Sequence, residues 1–157
     1  MGCLGYGLGD TMPDTYVLVI DTTLDFHTLK VTNADPKDQK VGLHNLAEWI
    51  ESTELGRYEF APNSALWFSK PSQPDLNIIA TGLVGGRVAI HGTVAITTWT
   101  RRGIDAQGIP DSELVETWSW VEEIVAYNKM YMDTHDMTLP QLQRFIQDGI
   151  EGDKNDI

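Results

Sequence analysis

Cysteine is nearly missing: the 157-residue chain holds one, Cys3. A single thiol excludes an intramolecular disulfide and any zinc or iron–sulfur site built from several cysteines. It fits a reducing compartment, so a cytoplasmic location is the expectation. Long apolar stretches are missing too. The run Val17–Ile20 falls far short of the roughly 20 residues that span a membrane. The N-terminus lacks the basic region and apolar core of a secretory signal. It does open Met-Gly-Cys, but Tyr6 stands where N-myristoylation wants Ser or Thr. Positive charge is scarce, with 11 Lys and Arg against 23 Asp and Glu, a net charge of −12. Phosphate contacts need Lys or Arg, so direct nucleic-acid binding is disfavoured. Such an acidic balance favours solubility or a basic partner.

Large side chains are present in number, with five Trp, five Tyr and four Phe. They supply enough core for one globular domain of this length. The expected layout is a glycine-rich arm over 1–14, a single α+β domain over 15–150 and a polar tail over 151–157. The acidity is uneven. Residues 1–27 carry Asp10, Asp14, Asp21 and Asp25 and no Lys or Arg, and residues 111–157 carry eleven acids against three bases. The middle of the chain is close to neutral.

Thr15–Asp21 is apolar and β-branched, the pattern of a buried strand, and Thr28–Asn33 alternates like a half-buried one. Leu43, Leu46, Ala47 and Ile50 make one stripe of a helix over Val41–Leu55. Tyr58–Ala61 and Ala65–Ser69 read as strands around a turn. Leu76–Val84 reads as a short helix stopped by Gly85 and Gly86. Arg87–His91 and Thr93–Thr100 read as strands with a kink at Gly92, and Arg101–Pro110 as a loop. Asp111–Met132 is the strongest helix, capped by Asp111 or Ser112. Thr138 and Gln141 have capping-box spacing for a last helix, with Pro140 in its first turn. The fold expected is α+β: a small mixed or antiparallel sheet with helices packed on one side.

No catalytic signature emerges. The glycines of GYGLG (5–9) precede the first strand, whereas a phosphate cradle follows one. Asp21 ends a strand where metal enzymes often keep a carboxylate, but Asp25 alone beside it makes a weak ligand set. Asp133, His135 and Asp136 read more readily as a solvated helix end than as a metal site. His27, His44 and His91 are scattered, and Cys3 makes a poor nucleophile. The expectation is no enzyme, no cofactor and no metal.

The long helix carries an unusual second stripe. Leu114, Trp118, Val121, Val125 and Met132 form the main one. Trp120, Ile124, Tyr127 and Tyr131 follow at i, i+4, i+7 and i+11, with Glu116 and Glu123 beside them. Burial of the whole helix explains this, and so does a partner-binding edge, because exposed Trp and Tyr with flanking charge suit interfaces. The candidate partner-binding residues are therefore Glu116, Trp120, Glu123, Tyr127 and Tyr131. Asn77 is the candidate for a small-ligand pocket at the sheet face.

The order RYEF (57–60), ALWFSK (65–70), DLNIIATGL (75–83), GRVAIHGTVAIT (86–97) and DAQGIPDSEL (105–114) resembles a family of small domains of unknown function. That family is encoded by phages and plasmids and is common in actinobacteria. The correspondence rests on Asn77, Ala80 and Gly92, then on Asp105, Gly108, Pro110 and Leu114. Arg87 stands where an Asp is expected, and the leader and the C-terminal helices lie outside the match. The resemblance implies a mobile-element accessory protein and implies no activity.

The expectation is thus a non-enzymatic accessory protein that binds and inhibits a host protein with a basic surface, as in counter-defence. The alternatives are a protein that sequesters a small molecule or nucleotide, and a structural virion protein. Homo-oligomerisation stays open.

Overall fold

The computed structural model describes residues 15–31, 40–41, 43–61, 63–71, 73–99 and 106–155. The expected arm over 1–14 lies outside them, as do Cys3 and the GYGLG run. In chain order the elements are β1 (Thr15–Ile20), β2 (Phe26–Val31), β3 (Lys40–Val41), α1 (Leu43–Trp49), β4 (Leu55–Glu59), β5 (Ser64–Ser69), α2 (Ile78–Leu83), β6 (Val94–Trp99), β7 (Ala106–Gln107), β8 (Ile109–Pro110), α3 (Asp111–His135) and α4 (Leu139–Asn155).

The apolar run at Thr15–Ile20 becomes an inner strand because both of its faces are covered. Leu18 and Ile20 enter the larger core, while Val17 and Val19 enter a smaller one on the opposite face. Strands buried on both faces read as continuous apolar runs, since alternation appears only where one face meets water. The sheet order is β2-β1-β6-β5-β4, with every pairing antiparallel. Leu18 lies opposite Ile96, and Ile96 opposite Leu66, so one row of apolar residues crosses three strands. Toward the far end β1 and β6 separate. The segment Ala106–Pro110 fills the gap, pairing first with β6 through β7 and then with β1 through β8. The Thr98 hydroxyl donates to the carbonyls of Gln107 and Gly108 at 3.1 Å each and holds this crossing. The loop expected over Arg101–Pro110 therefore contributes two short strands.

The α+β class and the antiparallel sheet are as the sequence indicates. Helices α2, α3 and α4 cover the larger core, but α1 lies on the other face, where Leu46 packs with Val17, Val19, Trp67 and Ala95. This second layer departs from the one-sided packing expected. It follows from the two-sided burial of β1, because the odd-numbered residues also need a cover. Helix α1 is also shorter than its apolar stripe suggests. Glu51 takes a left-handed φ of 56°, and the Ser52 amide donates to the Ala47 carbonyl at 2.9 Å. Leu55 is thereby released to pair with Ser69 in the β4–β5 hairpin.

Arg87–His91 does not form the strand that its alternation suggests. Ile90 donates to the Thr81 hydroxyl at 3.1 Å and accepts from the Asn77 amide at 2.7 Å. Its backbone groups are thus satisfied by α2, and the pairing is limited to one bridge between Leu76 and His91. Gly92 does mark a kink, with φ of 83°. Helix α2 ends as expected at Gly85 and Gly86, whose φ values of 92° and 76° provide the left-handed turn that glycine takes without strain.

Helix α3 begins at a Pro110 N-cap that makes no side-chain bond, so Asp111 and Ser112 are not its cap. Asp111 and Glu113 instead sit in the first turn, where the helix dipole favours negative charge. The capping box of α4 is formed: the Thr138 amide donates to Gln141 Oε1 at 2.8 Å, and the Gln141 amide donates to Thr138 Oγ1 at 3.3 Å. Helix α4 runs through Asn155, so most of the expected polar tail is helical.

A candidate partner-binding groove on the long helix

The two stripes of α3 do not divide into core and interface as separate faces. The most buried line of the helix runs between them through Thr117 and Asn128 and takes in Val121 at the inner edge of the first stripe. Thr117 and Asn128 are polar, so a search for apolar periodicity passes over them. Both meet their needs within the helix: the Thr117 hydroxyl donates to the Glu113 carbonyl at 3.2 Å and the Asn128 amide to the Ile124 carbonyl at 2.7 Å. The rest of the first stripe then becomes one half-buried flank, with the Trp118 ring edge-on to Phe26 at a centroid distance of 4.5 Å. The second stripe becomes the other flank.

That second flank borders an open groove of about 570 Å³. Trp120, Glu123 and Ile124 of α3 form one wall. Leu83, Val84 and Gly85 at the end of α2 form the other, and Tyr58, Phe60 and Ala61 of the β4–β5 hairpin close one end. Past the contact of Gly82 with Ile124 the groove adjoins a second open depression, between Tyr127, Asn128, Thr81 and Ile146 of α4. Glu123 and Ile124 line both parts. The α2 wall is low because glycine builds it: a β-carbon at Gly85 or Gly86 would meet nothing within 4 Å.

The structure brings three of the five expected partner-binding residues to this groove. Trp120 and Glu123 line it, and Tyr127 stands at its continuation with 61% of its surface exposed. Glu116 is exposed on the same flank, seven residues before Glu123, outside the lining. Tyr131 belongs to the junction with α4. Its ring stacks on His135 at 4.0 Å and on Phe145 at 6.0 Å, and it is half-buried. Helix α3 holds six acids and one base, Lys129. Among the described residues no cation pairs with Glu116 or Glu123.

Asn77 is a correction. The ligand role expected of it gives way to a structural one, because the residue is fully buried and its amide is committed within the fold. Its Oδ1 accepts from the Ala80 amide at 3.0 Å, capping α2, and its Nδ2 donates to the carbonyls of Ile20 at 3.1 Å and Gly92 at 2.8 Å. Asp21 is likewise engaged. Its Oδ1 accepts from the Thr23 amide and hydroxyl at 2.7 Å and from the Asp25 amide at 3.2 Å, shaping the β1–β2 turn. His135 bonds the Tyr131 carbonyl at 3.0 Å, His91 bonds Gln147 at 2.8 Å, and His27 is exposed on β2. Among the described residues no group of three or more His, Cys, Asp or Glu could hold a metal ion, and no helix is long and apolar enough to cross a membrane.

Sequence reasoning missed the second wall. Tyr58, Phe60, Gly85 and Gly86 lie far from α3 in the chain, and Gly85 and Gly86 read there only as a helix stop.

No family model, curated protein or solved structure matches this chain.

Proposed function

We propose that this chain is a non-enzymatic binding protein whose groove between α2 and α3 takes a protein partner with a basic surface. The observation that carries this reading is Tyr127, a large aromatic left 61% exposed beside an apolar groove, next to Glu123, whose carboxylate pairs with no cation among the described residues. Aromatic anchors at the centre of a patch and charge at its rim are the parts of a protein interface. The surplus of acid on α3 would steer a basic partner to it and set the pairing. A sequestering role for a small molecule has less support, because the groove is open and Asn77, its expected polar anchor, is fully engaged elsewhere. The resemblance to a phage and plasmid family suggests a host protein as the partner, with inhibition of that host protein as the outcome.

The test is a photo-crosslinking residue placed at Tyr127 and, as control, at Thr53, which is exposed before β4. Lysate exposed to the first variant should give one adduct of defined mass, weakened by high salt and by Glu123→Lys. No adduct at any salt, or the same adduct from position 53, would count against the proposal.

A further inference from the structure

We infer that the occupant of the groove is an amphipathic helix carrying basic residues one heptad apart; this rests on the protein-binding reading above. The warrant is spacing. Trp120, Ile124, Tyr127 and Tyr131 repeat at 4-3-4, the spacing at which one helix presents a seam to another. Placed on a heptad frame, these four fill the seam positions. Glu116 and Glu123 then both fall at the position that flanks the seam, where helix pairs place their ion pairs. The residues on the opposite flank, Val121 and Asn128, are buried against the domain. One side of the seam is therefore already packed and the other faces solvent with acid.

Part of the seam is already covered. Phe145 of α4 stacks on Tyr131, and Gly82 of α2 comes close to the half-buried Ile124, so the accessible stretch runs from half-buried Trp120 past the edge of Ile124 to exposed Tyr127, about 10 Å of helix. Gly85 and Gly86, beyond the Gly82–Ile124 contact, leave room for a backbone to approach closely. Two turns of a partner helix would lay apolar residues on Trp120, Ile124 and Tyr127 and hold a Lys or Arg near each of Glu116 and Glu123. A helix in a groove is an established mode of peptide recognition, read as anchors at i, i+3 or i+4, and i+7.

The probe is a synthetic helix of about 20 residues, long enough to hold its own turns. It carries Leu at the seam positions and Lys at the facing flank, and its twin carries Glu in place of each Lys. Like charges on the flank keep either peptide from pairing with itself. Binding is read by fluorescence anisotropy against the full chain and against the Glu116→Lys, Glu123→Lys double variant, with circular dichroism confirming that the variant is folded. The Lys peptide should bind the parent at least tenfold more tightly than its twin, and the order should reverse on the double variant. Equal binding of the two peptides, or binding by neither, overturns the helix. If neither binds while position 127 still crosslinks a partner, the helical occupant falls and the protein-binding reading stands. If both experiments are blank, both fall.

Discussion

Asn77→Ala should cost about 3–5 kcal/mol of stability without touching the groove. The side chain makes three bonds in a site with no exposure to water. Loss of an N-cap costs about 1 kcal/mol. A buried polar group left without its partner costs about 1–3 kcal/mol, and here the donor bonds to the Ile20 and Gly92 carbonyls are lost together. The contributions are coupled, because the same side chain ties β1, the Gly92 kink and the start of α2, so the lower part of their sum is the sound expectation. Urea unfolding is the assay. With a slope of about 2 kcal/mol per molar, the midpoint should fall by about 1.5–2.5 M at an unchanged slope. Asn77→Asp keeps the cap but cannot donate, and it buries a charge. Its folded-state pKa should rise above the unfolded value. The penalty should therefore grow as the pH rises from the unfolded carboxyl value of about 4 toward the raised folded value, and shrink, relative to the parent, as the pH falls back to about 4. A loss below about 1 kcal/mol for Asn77→Ala would refute the structural assignment and return Asn77 to the list of ligand candidates.

Tyr127→Ser should leave stability within about 0.5 kcal/mol, as exposed positions do, whereas Tyr131→Ser should lose about 1–2 kcal/mol with its stacking on His135 and Phe145; paired thermal melts read the difference. Gly108→Ala should destabilise by about 1–3 kcal/mol, because a β-carbon there would collide with the Thr15 side chain and Val31 Cγ2. Thr138→Ala should cost about 1 kcal/mol and speed amide exchange in the first turn of α4, where the capping box now holds two amides.

Much of the fold is legible in the chain, for reasons tied to particular residues. Thr15–Ile20 and Val94–Trp99 read as strands because the apolar and β-branched pattern matches burial, as it does over Thr15–Ile20 and 94–98. The capping box of Thr138 and Gln141 is a local device and survives any tertiary context. Arg87–His91 misleads because its alternation is real but its backbone partners are on α2, 9 residues away in the Thr81 case. Leu55 ends the helix expected over Val41–Leu55 but lies off its apolar stripe, and it pairs with Ser69 in the hairpin instead. On α3 both stripes are visible, while the line between them is hidden because Thr117 and Asn128 look like surface residues. The groove itself needs two distant segments, and no spacing along one chain reports how they meet.

The central claim is that a partner helix docks beside Trp120. The indole N–H resonances provide a direct reading, because the tryptophans occupy distinct places. Trp120 lines the groove, Trp118 packs on Phe26 at the other flank, and Trp67 donates to the Thr97 hydroxyl at 2.8 Å in the core. Titrating the Lys-bearing helix into labelled protein should move the Trp120 indole signal progressively and leave those of Trp67 and Trp118 in place. A stationary Trp120 signal, or a shift led by Trp118, would contradict the account.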